Sequence, residues 1–294
     1  MLYYLHIYKI KHKKFAWHKL LSEGERIMNL KKKIITFILL GATVIFAGCG
    51  NKSQSKPITS IEGLKGARIG TQLLTTGHLF AEEKFKDDKE TQVMAYSKGA
   101  DAVAALKQGA LDCVIIDEQT ARIFVEKNND LKILEAAFEI EEYAICLNKD
   151  NSALLNKIND AIEELKLNGS FDKIVSNYIG DNKGEAPYEK DSSNDFSNGK
   201  LVMATNAQFP PYEFYENDKI VGIDIDFAQA IADKLKMELV IEDMEFDTII
   251  SSVQSGKSDI GMAGISISPD REKSVQFSKP YVSTKQVIII KNLE

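Results

Sequence analysis

Apolar runs of strand length alternate with amphipathic helical runs twice along this chain, over residues 57–145 and again over 200–294, and this alternation constrains the fold more than any other feature. In the first block strands are expected at Arg68–Thr71, Thr91–Ala95 and Asp112–Ile116. Helices are expected in LLTTGHLFAEEKF, at Ser97–Gln108 with Ala102, Ala105 and Leu106 as the apolar face, and at Gln119–Lys127. In the second block the strand LVMATNA leads into an aromatic hairpin containing Phe209, Tyr212, Phe214 and Tyr215. Helix Asp224–Leu235 (Phe227, Ile231 and Leu235 inward), strand Glu238–Ile241, helix Thr248–Ser255 and an apolar strand Ile260–Ile267 follow. Such alternation means α/β lobes with mostly parallel sheets, which take ligands outside the carboxyl ends of their strands. At 294 residues the chain is comfortable for two such lobes.

Between the blocks, residues 146–180 read as two helices joined at Asn168-Gly169-Ser170, the first with Leu154, Ile158, Ile162 and Leu165 as its buried stripe. Residues 181–199 lose all periodicity and are rich in acidic and small polar residues, which predicts a solvated linker.

The net charge of -6 conceals a basic amino-terminal segment, because residues 1–48 carry nine Lys/Arg against two Asp/Glu. A body that acidic is a poor partner for nucleic acid. Within the basic segment Lys31-Lys32-Lys33, the apolar run Ile34 to Phe46 and Ala47-Gly48-Cys49 form the charged, apolar and small-residue regions of an export signal over residues 28–48. The run is short for a membrane-spanning helix. The cysteine after Ala-Gly resembles the bacterial lipobox, which implies a lipid on Cys49 and a flexible tether over 49–56. Residues 1–27 fit no export signal and are read as an untranslated upstream extension, with translation starting at Met28.

Chemistry concentrates in GMAGISISPDREKSVQFSKPY, residues 261–281. Ser268, Pro269 and Arg271 read as N-cap, N1 proline and first-turn cation, so backbone N–H groups and a guanidinium fork converge where a small carboxylate would bind; a surface ion pair is the competing reading. In the first block Thr75-Thr76-Gly77 is a strand-to-helix turn with Thr76 expected as N-cap, a second edge suited to anions. Asp117, at the end of its strand, is either an N-cap or a carboxylate offered to a cationic group. Cys113 and Cys146 lie in apolar strand-like runs and are expected as buried free thiols, a bridge between them being the alternative. His78 is the only histidine after residue 18, and no Ser/His/Asp or metal-ligand cluster is visible.

The stretches ATNAQFPPYEFYENDKIVGIDIDFAQAIADKL, FDTIISSVQSGKSDIGMAGISISPDREKSVQFSKPY and GARIGTQLLTTG with VIIDE resemble the amino-acid-binding proteins of ABC importers, the extracellular solute-binding family 3. The resemblance covers nearly everything after Cys49. It implies a bilobed periplasmic-binding-protein-like fold of type II, two mixed sheets flanked by helices with the ligand in the inter-lobe cleft. The implied function is a membrane-anchored receptor without cofactor, catalysis or metal, monomeric and lipid-tethered to the outer face of the bacterial cytoplasmic membrane, that delivers a free polar L-amino acid to a permease. By the same resemblance Arg271 takes the α-carboxylate with help from Gly264, Ser266, Thr75 and Thr76, and Asp117 takes the α-amino group. Phe209 and Phe246 flank the side chain, and Asn206 and Gln72 contact it.

The order of segments departs from the family's. The small lobe (57–145) precedes the helices (146–180) and the large lobe (200–294), as in a circular permutation cut in one hinge strand, with the usual termini joined by the linker. A rearranged non-transport module or non-binding remnant, or a dehydratase-like enzyme on the same fold, are the alternatives.

Overall fold

The computed structural model describes residues 58–134, 138 and 140–292; the expected extension, export signal, tether and lipidated Cys49 lie outside them. After a short 3-10 turn the chain runs β1 (Arg68–Gln72), α1 (Thr76–Phe85), β2 (Gln92–Tyr96), α2 (Gly99–Gln108), β3 (Cys113–Asp117), α3 (Glu118–Glu126), β4 (Leu131–Leu134), β5 (Ile140–Tyr143) and β6 (Cys146–Leu147). Helices α4 (Ser152–Leu167) and α5 (Ser170–Tyr178) come next, then β7 (Lys200–Thr205), β8 (Gln208–Phe209), β9 (Glu213–Glu216), β10 (Lys219–Val221) and α6 (Ile223–Lys234). The chain closes with β11 (Glu238–Asp243), α7 (Phe246–Gln254), β12 (Ile260–Gly261), α8 (Pro269–Glu272), β13 (Gln276–Phe277) and β14 (Val282–Lys291).

The expected alternation builds two mixed α/β sheets. One has the order β2-β1-β3-β14-β4, with β1 parallel to both neighbours and β14 antiparallel to β3 and β4. The other has the order β11-β7-β12-β6-β13, parallel across β11, β7 and β12 and antiparallel at β6. Each lobe therefore draws strands from both sides of the 180–199 segment: β14 comes from the late block into the first sheet and β6 from the early block into the second. These two excursions are the crossings between lobes, and β5 runs antiparallel to the start of β14, pairing Thr284 with Glu141.

Burial follows the pattern read from the sequence. Ala102, Ala105 and Leu106 of α2 pack with Leu111, Val114 and Val287 in one core, while Ile158, Ile162 and Leu165 of α4 meet Phe227 and Ile231 of α6 in the other. Phe227 and Ile231 are fully buried, each worth about 2–3 kcal/mol in apolar area removed from water.

Three expectations are corrected. The N-cap of α1 is Thr75, not Thr76: Thr75 has extended φ/ψ and its hydroxyl accepts from the His78 N–H, whereas Thr76 is already helical. The apolar run Ile260–Ile267 is not one strand, because Gly264 sits at φ +54 in the left-handed region and ends the ladder after Gly261. The 180–199 segment has no helix or strand, but it is strapped down rather than solvated throughout. The carboxylate of Asp233 on α6 accepts from the Tyr188 hydroxyl, the Asp191 N–H and the Asn194 amide.

Cys113 and Cys146 are free and buried in different sheets, so the alternative of a bridge between them is not realised. Burial raises both thiols, Cys146 to about 12. A thiolate-selective reagent should leave both unmodified in the native protein and label both after denaturation; labelling of either thiol at native speed would contradict the packing described.

Candidate functional site

The two sheets present their strand ends to each other across one cleft lined by Gln72, Thr75, Thr76, Ile115, Ile116, Asp117, Tyr143, Asn206, Phe209, Glu213, Phe246, Ala263, Gly264, Ser266, Arg271 and Gln286. All ten ligand-binding residues expected from sequence lie on this surface, brought from positions as far apart as 72 and 271. Among them, Asn206 and Gln72 meet across the cleft (3.1 Å), and Gln72 also donates to the Ser97 carbonyl. The cleft is shut: it leaves about 20 Å³ for the centre of a water molecule, room for one or two waters.

Arg271 is set by its own turn. Ser268 caps α8 with Pro269 at N1, and the guanidinium folds back to donate to the Ser266 carbonyl (2.8 Å) and across the cleft to the Leu74 carbonyl (3.1 Å). It lies 5.6 Å from the centre of the Phe246 ring, and burial lowers its pKa. Both acceptors are neutral carbonyls, and among the described residues the guanidinium makes no hydrogen bond to an anion. Facing it, the N–H groups of Thr76 and Gly77 precede the first intrahelical bond of α1.

Of the two roles that its position left open, Asp117 takes that of N-cap. Its Oδ1 accepts from the Gln119 and Thr120 N–H groups as the N-cap of α3, and its Oδ2 accepts from the Tyr143 hydroxyl (2.9 Å) and the Thr284 hydroxyl (2.5 Å). Burial raises its pKa, opposed first by the Thr284 hydroxyl and then by the other three donors. Four donors fill four lone-pair directions, so Asp117 offers the cleft no free acceptor site in this arrangement.

The aromatic walls are Phe209, stacked on Tyr212 (5.5 Å between centres, 21° between planes), and Phe246 at the start of α7. Phe209 lies flat on Gly264, where a Cβ would come within 2.8 Å of the ring. The Gly264 N–H is already donated to Asp224 Oδ2 (2.9 Å).

Two acids that the sequence reading did not single out complete the site. Glu213 lies at the cleft floor, and neither of its oxygens has a donor among the described residues. It faces Asp224, whose Oδ2 accepts from Gly264 and the Tyr281 hydroxyl while Oδ1 has no donor among the described residues. The pair is juxtaposed by Gly222, at φ +136, whose Cβ would meet the Tyr212 carbonyl at 2.1 Å; only glycine lets this turn close on β9. Two buried carboxyls side by side disfavour ionisation of both. Burial, reinforced by Asp224, raises Glu213 well above the carboxylate range; burial also raises Asp224, to about 6, against the opposing hydrogen bonds from Gly264, Tyr281 and Glu213. The signal available in sequence was the pairing of Glu213 with the IDID helix start, whose meaning depends on a contact that no local pattern encodes. The second acid, Glu141 on β5, accepts from the hydroxyls of Thr76 (2.9 Å) and Ser266 (2.7 Å).

Among the described residues no group of three or more His, Cys, Asp or Glu side chains has metal-holding geometry, and no helix is long and apolar enough to cross a membrane.

The model of the bacterial extracellular solute-binding proteins, family 3, matches residues 201–294. The chain is 37% identical over 92 residues to the arginine-binding extracellular protein ArtP of Bacillus subtilis (strain 168), covering 31% of this chain and 36% of the relative. It is 33% identical over 89 residues to a probable histidine-binding protein of Campylobacter jejuni (30% and 35%) and 31% identical over 98 residues to the L-cystine-binding protein TcyJ of Escherichia coli K12 (33% and 37%). The chain thus spans about a third of the length of these relatives. Of solved structures, an ancestral arginine-binding protein bound to arginine aligns at 49% identity over 29% of this chain and 38% of that one, with a TM-score of 0.28.

The Glu213–Asp224 pair makes stability pH-dependent with a definite sign. Both acids are raised in the folded state, so their stabilisation is complete below the unfolded values near 4 and is lost as pH rises through the folded ones. For Asp224 alone the loss is on the order of 3 kcal/mol. The urea midpoint of Asp224→Asn, whose amide supplies a hydrogen to the pair, should therefore fall less than the wild-type midpoint between about pH 4 and pH 7; parallel pH curves would contradict the raised values.

Proposed function

We propose that the chain, whose residues 201–294 match the model of the bacterial extracellular solute-binding proteins, family 3, is the receptor of an ABC importer, closing its two lobes around a free amino acid with a basic side chain. The observation that carries this reading is the charge balance of the cleft. One guanidinium, Arg271, faces two buried acids, Asp117 and Glu213, with Asp224 behind Glu213 and Glu141 at the edge. A ligand with one carboxylate and two cationic groups sets an opposite charge against each of Arg271, Asp117 and Glu213; a neutral side chain gives Glu213 no cationic partner. The relative named for arginine supports the same class.

In this reading the α-carboxylate displaces the carbonyl contacts of Arg271 and lies against the N–H groups that begin α1, while Phe209 and Phe246 flank the side chain. The α-ammonium lies in the field of Asp117, and the cationic tip reaches an ionised Glu213 while the proton of the pair rests on Asp224. Because the anchors come from both lobes, a ligand touching both stabilises the shut state over the open one.

Anchoring through a lipid on Cys49, export to the outer face of the cytoplasmic membrane and action as a monomer belong to the same proposal. The rotated order of lobes is consistent with the way β14 and β6 exchange between the two sheets. Replacing Cys49 by Ser should release the protein from the membrane fraction and abolish fatty-acid labelling; unchanged fractionation would remove the anchor from the proposal.

The direct test is calorimetry with the amino acids in turn. Arginine should bind, with lysine and histidine weaker, and Arg271→Ala should weaken arginine on the order of 100-fold, since it leaves the ligand carboxylate without its cation. Saturation by a neutral or acidic amino acid in preference to arginine would overturn the basic-ligand reading, and no binding of any would favour a non-binding remnant.

A further inference from the structure

The expected site residues Thr76 and Ser266 do not present free hydroxyl hydrogens to the cleft. Both donate to one atom, Glu141 Oε2, at 2.9 and 2.7 Å, and the Gln286 amide approaches the same oxygen at 3.4 Å and Thr76 Oγ1 at 3.2 Å. A hydroxyl has a single hydrogen to give, so donation to Glu141 removes it from any ligand anion. The four side chains come from different places: Thr76 starts α1, Ser266 precedes α8, and Glu141 and Gln286 lie on the paired crossing strands β5 and β14.

We propose that Glu141 is a specificity-determining residue for the carboxylate end of the ligand: a fixed protein carboxylate that occupies the hydroxyl donors beside Arg271 and sets how strongly the site demands an anion there. The proposal rests on the reading of the cleft as a basic-amino-acid site.

The geometry gives this role a direction. Thr76, Ser266 and Gln286 line the cleft, while Glu141 approaches them from the neighbouring cavity on the other side, so it borders the anion end without blocking it. Ser266 holds Glu141 through its hydroxyl and Arg271 through its carbonyl, which puts the protein's own anion within one residue's span of the guanidinium. A bound α-carboxylate therefore meets Arg271 together with a like charge that has already taken two donors, and its attraction is reduced relative to a site with a neutral residue at 141. A ligand whose end is uncharged does not feel this penalty.

The experiment measures the ratio of affinities for L-arginine and L-argininamide, which differ in that one charge, by calorimetry on the full chain. Glu141→Gln keeps an acceptor for both hydroxyls and removes the charge; it should raise the arginine-to-argininamide ratio about tenfold, mainly by tightening arginine. Gln286→Glu, which adds a second carboxylate against the same hydroxyls, should lower the ratio and so tests the idea through a different fold perturbation. A latch that only holds the lobes together would change both affinities by the same factor. An unchanged ratio in both variants, or movement in the opposite directions, overturns the proposal. Failure of wild-type protein to bind either ligand overturns it by a separate route, by removing the reading on which it rests.

Discussion

A buried carboxylate with no cation to pair with must be met by neutral donors or it will not stay ionised, and Asp117 meets that demand by gathering four of them from three directions. Two come from the first turn of α3, one from Tyr143 at the end of β5 and one from Thr284 on β14. The acid thereby fixes one lobe to both strands that lead to the other. Tyr143 carries the connection onward: its ring meets Tyr212 edge-on at 5.3 Å, and Tyr212 stacks on Phe209, the wall of the cleft. The walls of the binding surface and the crossing strands are thus parts of one packed arrangement.

Much of this architecture could be read from periodicity. The helices with a clear 3.6-residue apolar stripe, α2, α4 and α6, bury the faces expected of them, and the Ser268-Pro269 start of α8 places Arg271 as the local sequence requires. The failures are equally physical. Two adjacent threonines have the same intrinsic capping ability, and which of them caps α1 is decided by the backbone angle at Thr75. An apolar run such as Ile260–Ile267 has strand composition, but the left-handed Gly264 that lets Phe209 lie against the backbone is incompatible with a continuing ladder.

The acids were the least legible part of the site. Asp117 stands at the end of a strand in a sequence that announces a turn, and its importance could be argued locally. Glu213 and Glu141 sit on strands among other charged residues, in EFYE and IEEY, where the bland expectation is a solvated face. Only the contact with Asp224 in one case, and with Thr76 and Ser266 in the other, separates them from their neighbours. Both contacts join segments remote in sequence, so their cause is the tertiary fold and not a pattern in the chain.

The paired β5 and β14 have a mechanical consequence. A two-stranded antiparallel ribbon resists sliding along its length, because every displacement breaks the ladder from Val282–Tyr143 to Lys285–Ile140, but it twists about its long axis at little cost. Relative motion of the two sheets is thereby steered into rotation about the ribbon. The spine of the cleft stays closed and the fore-edge, where Leu74 meets Arg271, travels farthest. Parting the lobes about this ribbon would break the bond from the guanidinium to the opposite lobe and the amide contact of Gln72 with Asn206.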